Sequence, residues 1–510
     1  MKVNIIGAGI AGLSAGCYLQ MNGYETEIFE KHSKSGGLCT SWKVGGYTFD
    51  GCLHWLLGSG PANPFYLLWS ELIDMKTVGF IHHEVRVEIE VKDYADKYGS
   101  KIFKLYNDLN KLEAYLLDIA PEDRSRIKKL IRSVRKLQTY EIPPMIGTFP
   151  PLFTMKQKMG MIQHLPLLLN MLRNRYVTNF TLLKQFKNPF LREALSLLYD
   201  GDENPILITT IPLAFADRKS TGYPVGGSSL IANRIAERYL SLGGKINYHS
   251  GVKEIITLDH TATGVKLEDG REINSDITIS AADWHYTVFD ALKGKYTNPV
   301  ILGLNEQTDF KVYYSVLAVF LGFSRTFEGF SHFSRFPIEK ELTSPDGTHY
   351  SRLELHIHNY DPALVQDGKT SVSVSFYTQK GDFWIDLYKN DREQYDRLKE
   401  TFAKEVVNIL EAKFGSMQEH LEVVSVATPA TYHRYTSNWK GSVQGWLPGK
   451  NIMKSSPVGF ELPGLKQFYF AGHWTQPGGG LPVAIKSARD AVQMICRRTG
   501  RGFTTTSFEK

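Results

Sequence analysis

Only four of the 510 residues are cysteine, Cys17, Cys39, Cys52 and Cys496, and none stands in a CxxC pair or a metal-ligand spacing. That excludes a disulfide-stapled scaffold and a zinc module, and a reducing compartment suits the chain. No run of about 20 apolar residues occurs, so no membrane-spanning helix is expected. Residues 3 to 19 lack charge, but Gly7, Gly9 and Gly12 interrupt them and no small-residue cleavage site follows, so this is not a signal peptide. A net charge of +6 is too mild for a dedicated nucleic-acid binder, and no nucleic-acid partner is expected. Acid is absent altogether between Glu141 and Glu193.

What is present begins at the first residues, "MKVNIIGAGIAGLSAGCYLQMNGYETEIFEK". A short apolar strand runs into Gly7, Gly9 and Gly12, a helix follows, and a second strand ends at Glu30. Gly7 permits the tight turn, Gly9 lets backbone approach a pyrophosphate, and Gly12 lets the helix pack on the strand. The free N–H groups at Ile10 and Ala11 then face the phosphates, and Glu30, with Lys31 behind it, sits where a carboxylate accepts from ribose hydroxyls. This βαβ unit suits NAD or FAD alike.

The far end of the chain decides between them. "FYFAGHWTQPGGGLPVAIKSARDA", 468 to 491, reads as a strand, a glycine-rich turn and a helix. Such a turn offers N–H groups and the positive end of a helix to the flavin edge that becomes anionic on reduction. One FAD would then use both ends of the chain, with Gly472, Thr475, Gly479, Gly480 and Leu481 along its ring.

These two segments resemble the phytoene desaturase, carotenoid isomerase and retinol saturase family of FAD-dependent oxidoreductases, within the amine-oxidase-like flavoproteins. Bacterial phytoene desaturases end in T-x-P-G-x-G-x-P-x-x-x-x-S, and this chain has Thr475, Pro477, Gly478, Gly480, Pro482 and Ser487 in that spacing. "YPVGGSSLIANRIAERYLSLGGKINYHSGVKEI" resembles the family's central segment, which implies that Val252 meets the adenine through its backbone. "ISAADWHYTVFDAL" and "TPATYHRYTSNWKGSVQGW" are similar to family segments too. Gly36 and Gly37 match the family's double glycine, but Leu38 and Cys39 follow where many amine oxidases have arginine, which argues against an amine substrate. Gly16 stands where the first helix usually has alanine.

The resemblance implies an α/β fold: a Rossmann-like FAD-binding domain, discontinuous and glutathione-reductase-like, with a mixed α+β substrate domain and a helical, membrane-facing insertion. The FAD-binding pieces are expected at 1–75, 215–290 and 420–510, the helical region at 76–214 and the substrate sheet at 291–419. Stretches 311–323 and 369–379 read as strands, and 391–413 as an amphipathic helix. "RSRIKKLIRSVRKL" puts Ile127, Leu130, Ile131, Val134 and Leu137 on one helix face and basic residues on the other. Beside the acid-free span, this suits a surface lying on anionic lipid, with a solvated helix packed on its own core as the alternative. The expectation is a cytoplasmic protein, peripheral on the inner face of the membrane, that draws a lipophilic substrate from the bilayer.

The flavin carries the redox step, so few catalytic side chains are needed. "FDGCLHWLLG" resembles a family stretch with an aspartate and a histidine after the double glycine; Asp50, His54 and His473 are therefore the proton-transfer candidates, with turn-forming and carbonyl-holding roles as alternatives. "HIH" at 356–358 and "HH" at 82–83 have no partner cluster in sequence, and no metal is expected. No second GxGxxG is available for a nicotinamide, so a diffusible electron acceptor or donor must serve the flavin. The expected activity is desaturation, saturation or isomerisation of polyene carbon–carbon double bonds. Oxidation of a smaller amine, and lipid binding without turnover, are the competing readings.

Overall fold

The computed structural model describes residues 1–92, 94, 101–139, 150–160, 162, 165, 169, 177–198, 206–447, 458–475 and 479–508. Its first layer is a five-stranded parallel sheet in the order Lys245–Asn247, Glu25–Phe29, Lys2–Ile6, Ile277–Ser280, Phe468–Phe470. Strands in the middle of such a sheet are covered on both faces, which is why "VNII" and "ITIS" carry no charge and are buried throughout. One face packs on the helices Ile10–Met21, Gly227–Ser241 and Gly480–Arg498. The other packs on an antiparallel three-stranded layer, Val252–Leu258, Thr261–Leu267 and Glu272–Asn274. The expected Rossmann-like architecture is present, and its strands come from both ends and the middle of the chain.

Close packing explains two glycines. A Cβ on Gly12 would fall 1.9 Å from the Gly7 carbonyl oxygen, and one on Gly16 would fall 2.6 Å from the Tyr239 ring. Gly16 therefore seats the first helix against Gly227–Ser241, a requirement that alanine could not meet.

The second layer is a seven-stranded sheet in the order Leu421–Ala427, Ser315–Phe323, Thr370–Thr378, His349–Ile357, Phe333–Thr343, Val85–Glu90, Ile102–Tyr106. The strands read at 311–323 and 369–379 pair antiparallel along their whole length. The helix read at 391–413 spans Arg392–Phe414, capped by the Asp391 carboxylate accepting from Gln394 N at 2.9 Å, and lays Phe402 and Val406 on the sheet. Three strands of this sheet lie outside 291–419, so the expected segment boundaries at 76–214 and 420 do not coincide with the sheets.

Arg124–Thr139 is the expected amphipathic helix. Its apolar side is spent within the protein: Ile127, Ile131 and Val134 are wholly buried against Leu109, Leu112 and Leu116 of Leu109–Ile119 and the strands Val85–Glu90 and Ile102–Tyr106. Only the basic side faces outward. Lys187 and Asn188, in the acid-free span, donate their backbone N–H groups to the buried Asp123 carboxylate. No helix among the described residues is long and apolar enough to cross a membrane.

Candidate functional site

Where the parallel strands end, a cavity opens at their C-terminal edge. Its walls include Gly7, Gly9, Ile10, Ala11, Glu30, Lys31, Gly36, Gly37, Leu38, Val252, Gly472, Gly480 and Leu481, so thirteen of the residues read from sequence as cofactor contacts meet around one space. Gly7 bends at φ +93°, and Gly9 precedes Ile10–Met21 with no side-chain cap, so the first N–H groups of that helix are free to meet an anion. A Cβ on Gly9 would meet nothing within 4 Å: the space beside it is open.

The Glu30 carboxylate accepts from Ala8 N at 2.7 Å and from His32 N at 2.8 Å, bracing the glycine turn from the end of the neighbouring strand. Burial raises its pKa despite these bonds. At the opposite end Gly472, at φ +128°, is fixed from two sides: its N–H donates to Ser487 Oγ at 2.8 Å and its carbonyl accepts from Thr475 Oγ1 at 2.8 Å. The helix after the glycine-rich turn starts at Gly480, again without a side-chain cap.

Three residues expected to touch the cofactor stand behind the wall instead. Gly12 packs on Gly7, Thr475 is buried with its hydroxyl turned to Gly472, and Gly479 turns the chain at φ +47° against Gln444. They shape the groups that line the cavity. Pro477 and Gly478 lie outside the described residues.

A family model described as flavin containing amine oxidoreductase matches residues 10–496. The chain belongs to that family. It is 24% identical over 515 residues to a 4,4'-diapophytoene desaturase (4,4'-diapolycopene-forming) of Methylomonas, covering 97% of this chain and 95% of the relative. It is 25% identical over 496 residues to the chloroplastic prolycopene isomerase of Arabidopsis thaliana, covering 94% and 79%. Among solved structures, an oxidoreductase of Methanosarcina mazei is similar over 97% of this chain and all of its own, with TM-score 0.61 at 17% identity, a likeness of fold.

The protein is thus an FAD-dependent oxidoreductase, and the residues present fit FAD. The uncapped helix at Ile10 and the open side of Gly9 suit the pyrophosphate, Glu30 the ribose, and the helix end at Gly480 and Leu481 the flavin ring, whose bound form supplies hydride transfer.

Sequence reading missed several wall residues, including Cys39, Cys52, Glu268, Asp283, Tyr286 and Tyr435 through Asn438. Tyr286 donates to the Val252 carbonyl across the cavity wall. Burial pushes the Asp283 carboxyl up to about 7, although it accepts from Tyr286 N and Trp439 N, each at 2.9 Å. The segments "ISAADWHY" and "YTSNW" were the available signal.

Of the three proton-transfer candidates, His473 lies on the cavity wall, and burial pushes its pKa down to about 4. Asp50 spends its carboxylate on Ser228 Oγ at 2.8 Å and Cys52 N at 2.9 Å, and so ties the segment after the double glycine to the start of Gly227–Ser241. His54 is exposed, yet desolvation still lowers its pKa.

The isolation expected of the other histidines is overturned. The His54 and His356 rings stack at 3.9 Å, His83 and His332 at 3.5 Å, and potential ligand atoms of His54, Glu354 and His356 lie within 4.8 Å of one another. Strand alternation puts Glu354, His356 and His358 on one face, and 302 residues separate His54 from its partner. Arg335 pairs with Glu354 at 2.7 Å, and desolvation lowers the pKa of His356, His358 and His332, so this cluster is one of neutral imidazoles.

Proposed function

We propose that this enzyme uses FAD to desaturate, saturate or isomerise carbon–carbon double bonds of a polyene or other long isoprenoid lipid. Likeness over nearly the whole chain to a carotenoid desaturase and a carotenoid isomerase carries this reading. The Thr475 to Ser487 pattern favours desaturation. Leu38, in place of an arginine, weighs against the smaller amine that the family description would also allow.

In this scheme Gly7 to Ala11, Glu30 and the Gly480 helix end hold and orient the cofactor, while the enclosing walls exclude water from the reacting bond. His54 and His473 hold or move the proton that a polyene cation or carbanion would require, from Nδ1 or Nε2 of a neutral ring. A diffusible acceptor or donor exchanges electrons with the flavin.

The substrate arrives from a membrane surface. Supporting this, the apolar Met155, Met159, Ile162, Leu165 and Leu169 are 72%, 63%, 68%, 49% and 54% exposed. The basic side of Arg124–Thr139 belongs to the same 76–214 region.

The test is an anaerobic incubation of the FAD-loaded protein, oxidised or chemically reduced, with liposome-borne phytoene-like polyenes, carotenes and retinol. Loss of two hydrogens with the oxidised form identifies a desaturase, gain of two with the reduced form a saturase, and unchanged mass with shifted mobility an isomerase. No product in any incubation sinks the polyene reading, and turnover of small amines with peroxide release would replace it.

A further inference from the structure

Cys39 and Cys52 face each other at the wall of the flavin cavity. Their sulfurs lie 3.4 Å apart, and both residues line the space beside Gly36, Gly37 and Leu38. A hairpin brings them there: Ser41–Val44 pairs antiparallel with Tyr47–Asp50, and its last partners are Ser41 and Asp50. Two positions further out on each arm, on the same cross-strand line, stand Cys39 and Cys52. Antiparallel partners have Cα atoms about 4.5–5.5 Å apart, inside the window of about 4.4–6.8 Å that a disulfide requires.

The second thiol is also held in position. The Asp50 carboxylate accepts the Cys52 N–H at 2.9 Å and is itself fixed by the Ser228 hydroxyl. The contact with Cys52, followed by burial, raises the Cys39 pKa, so Cys39 rests as a thiol. The other two cysteines lack this setting: Cys17 and Cys496 are buried in the helix layer of the core, and Cys17 Sγ donates to the Ile235 carbonyl.

We propose that Cys39 and Cys52 form a two-electron dithiol–disulfide couple that exchanges electrons with bound FAD. In one direction both S–H bonds break and one S–S bond forms; the two electrons and two protons released are those that convert oxidised FAD to its dihydro form. The reverse direction reopens the disulfide and returns the flavin to its oxidised state. The pair thereby stores two reducing equivalents at the wall of the flavin cavity. The inference rests on the FAD assignment and is independent of which substrate the enzyme takes.

The experiment titrates air-oxidised, FAD-loaded protein with dithionite without oxygen, following flavin absorbance. Free thiols are alkylated before and after for mass analysis. About four electrons are expected per flavin, two beyond what the flavin accepts, together with a Cys39–Cys52 cross-linked peptide that separates on reduction. Cys39→Ser and Cys52→Ser should each take up about two. Should either variant fail to fold, the wild-type peptide analysis decides alone. Uptake of about two electrons by wild type, with both thiols alkylated in the air-oxidised sample, overturns the proposal. Flavin content is read from the same spectrum, so protein without FAD refutes the cofactor assignment instead.

Discussion

Glu71 and Arg489, 418 positions apart, meet in a buried ion pair closed by two hydrogen bonds, Nε to Oε2 at 2.9 Å and Nη2 to Oε1 at 3.0 Å. Tyr18 and Thr505 hydroxyls add bonds to the same carboxylate at 2.9 and 3.0 Å. Glu71 thus joins the Phe65–Leu72 helix to the first and last helices of the cofactor domain. Glu71→Ala strands a guanidinium in the interior and should cost about 3–5 kcal/mol. Chemical denaturation of the FAD-loaded protein checks this, and adding Arg489→Met should recover part of the loss; a change within about 0.5 kcal/mol would refute it.

Two glycines of the first turn should fail differently. Gly12→Ala drives a methyl into the Gly7 carbonyl and should lower stability even without FAD. Gly9→Ala has room and an ordinary φ of −71°, so the fold should survive while FAD is lost. Melting temperature and retained flavin, measured on both, separate the two effects; full flavin in Gly9→Ala would show that no pyrophosphate passes there.

His358 sets a pH dependence. It is 4% exposed, and burial pushes its pKa down to about 3, below the value near 6.5 of the unfolded chain. Between those values the unfolded chain binds the proton and the folded chain does not. Its contribution is therefore whole above about pH 6.5 and declines by about 1.4 kcal/mol per unit as pH falls toward 3. Asp283, pushed up to about 7, works in the opposite sense, so the measurement is the difference in unfolding free energy between wild type and His358→Asn at several pH values. A difference independent of pH would refute the assignment.

His54→Asn is expected to lower kcat about 100-fold or more with FAD content unchanged, as for loss of a positioned proton donor. If polyene turnover proceeds at the wild-type rate, His54 is packing only.

Ile162→Asp with Met159→Asp should weaken sedimentation with vesicles containing anionic lipid by more than about tenfold, since burying each apolar side chain is worth about 1.5–3 kcal/mol. Flavin absorbance serves as the control that the fold is intact. Equal sedimentation would move the membrane contact elsewhere.

The cofactor half of the fold was legible because its chemistry is local. Gly7 to Gly12 and Glu30 lie within one βαβ unit, and Phe468 to Leu481 declare strand, turn and helix in sequence order. What could not be read joins distant segments: His54 with His356, Glu71 with Arg489, the outer strand Leu421–Ala427 with Ser315–Phe323. Composition offers no signal for such pairs, because each partner taken alone is an ordinary loop histidine, surface acid or alternating strand. Thr475 shows a subtler limit: the motif position was read, but its hydroxyl turns to a backbone carbonyl rather than to the cavity.

The parallel sheet places Phe468–Phe470 beside Ile277–Ser280, so the nascent chain must wait for its fifth strand. At 5–20 residues per second, the interval between synthesis of Lys2–Ile6 and of Phe468–Phe470 is roughly 20 to 90 seconds. For the last roughly 10 to 40 seconds of it, once Ile277–Ser280 has been made, the edge of that strand is unpaired and the flavin's ring end has no wall. Cofactor capture is consequently a late event of biosynthesis, and a growing chain offers chaperones an open strand edge until it is nearly complete.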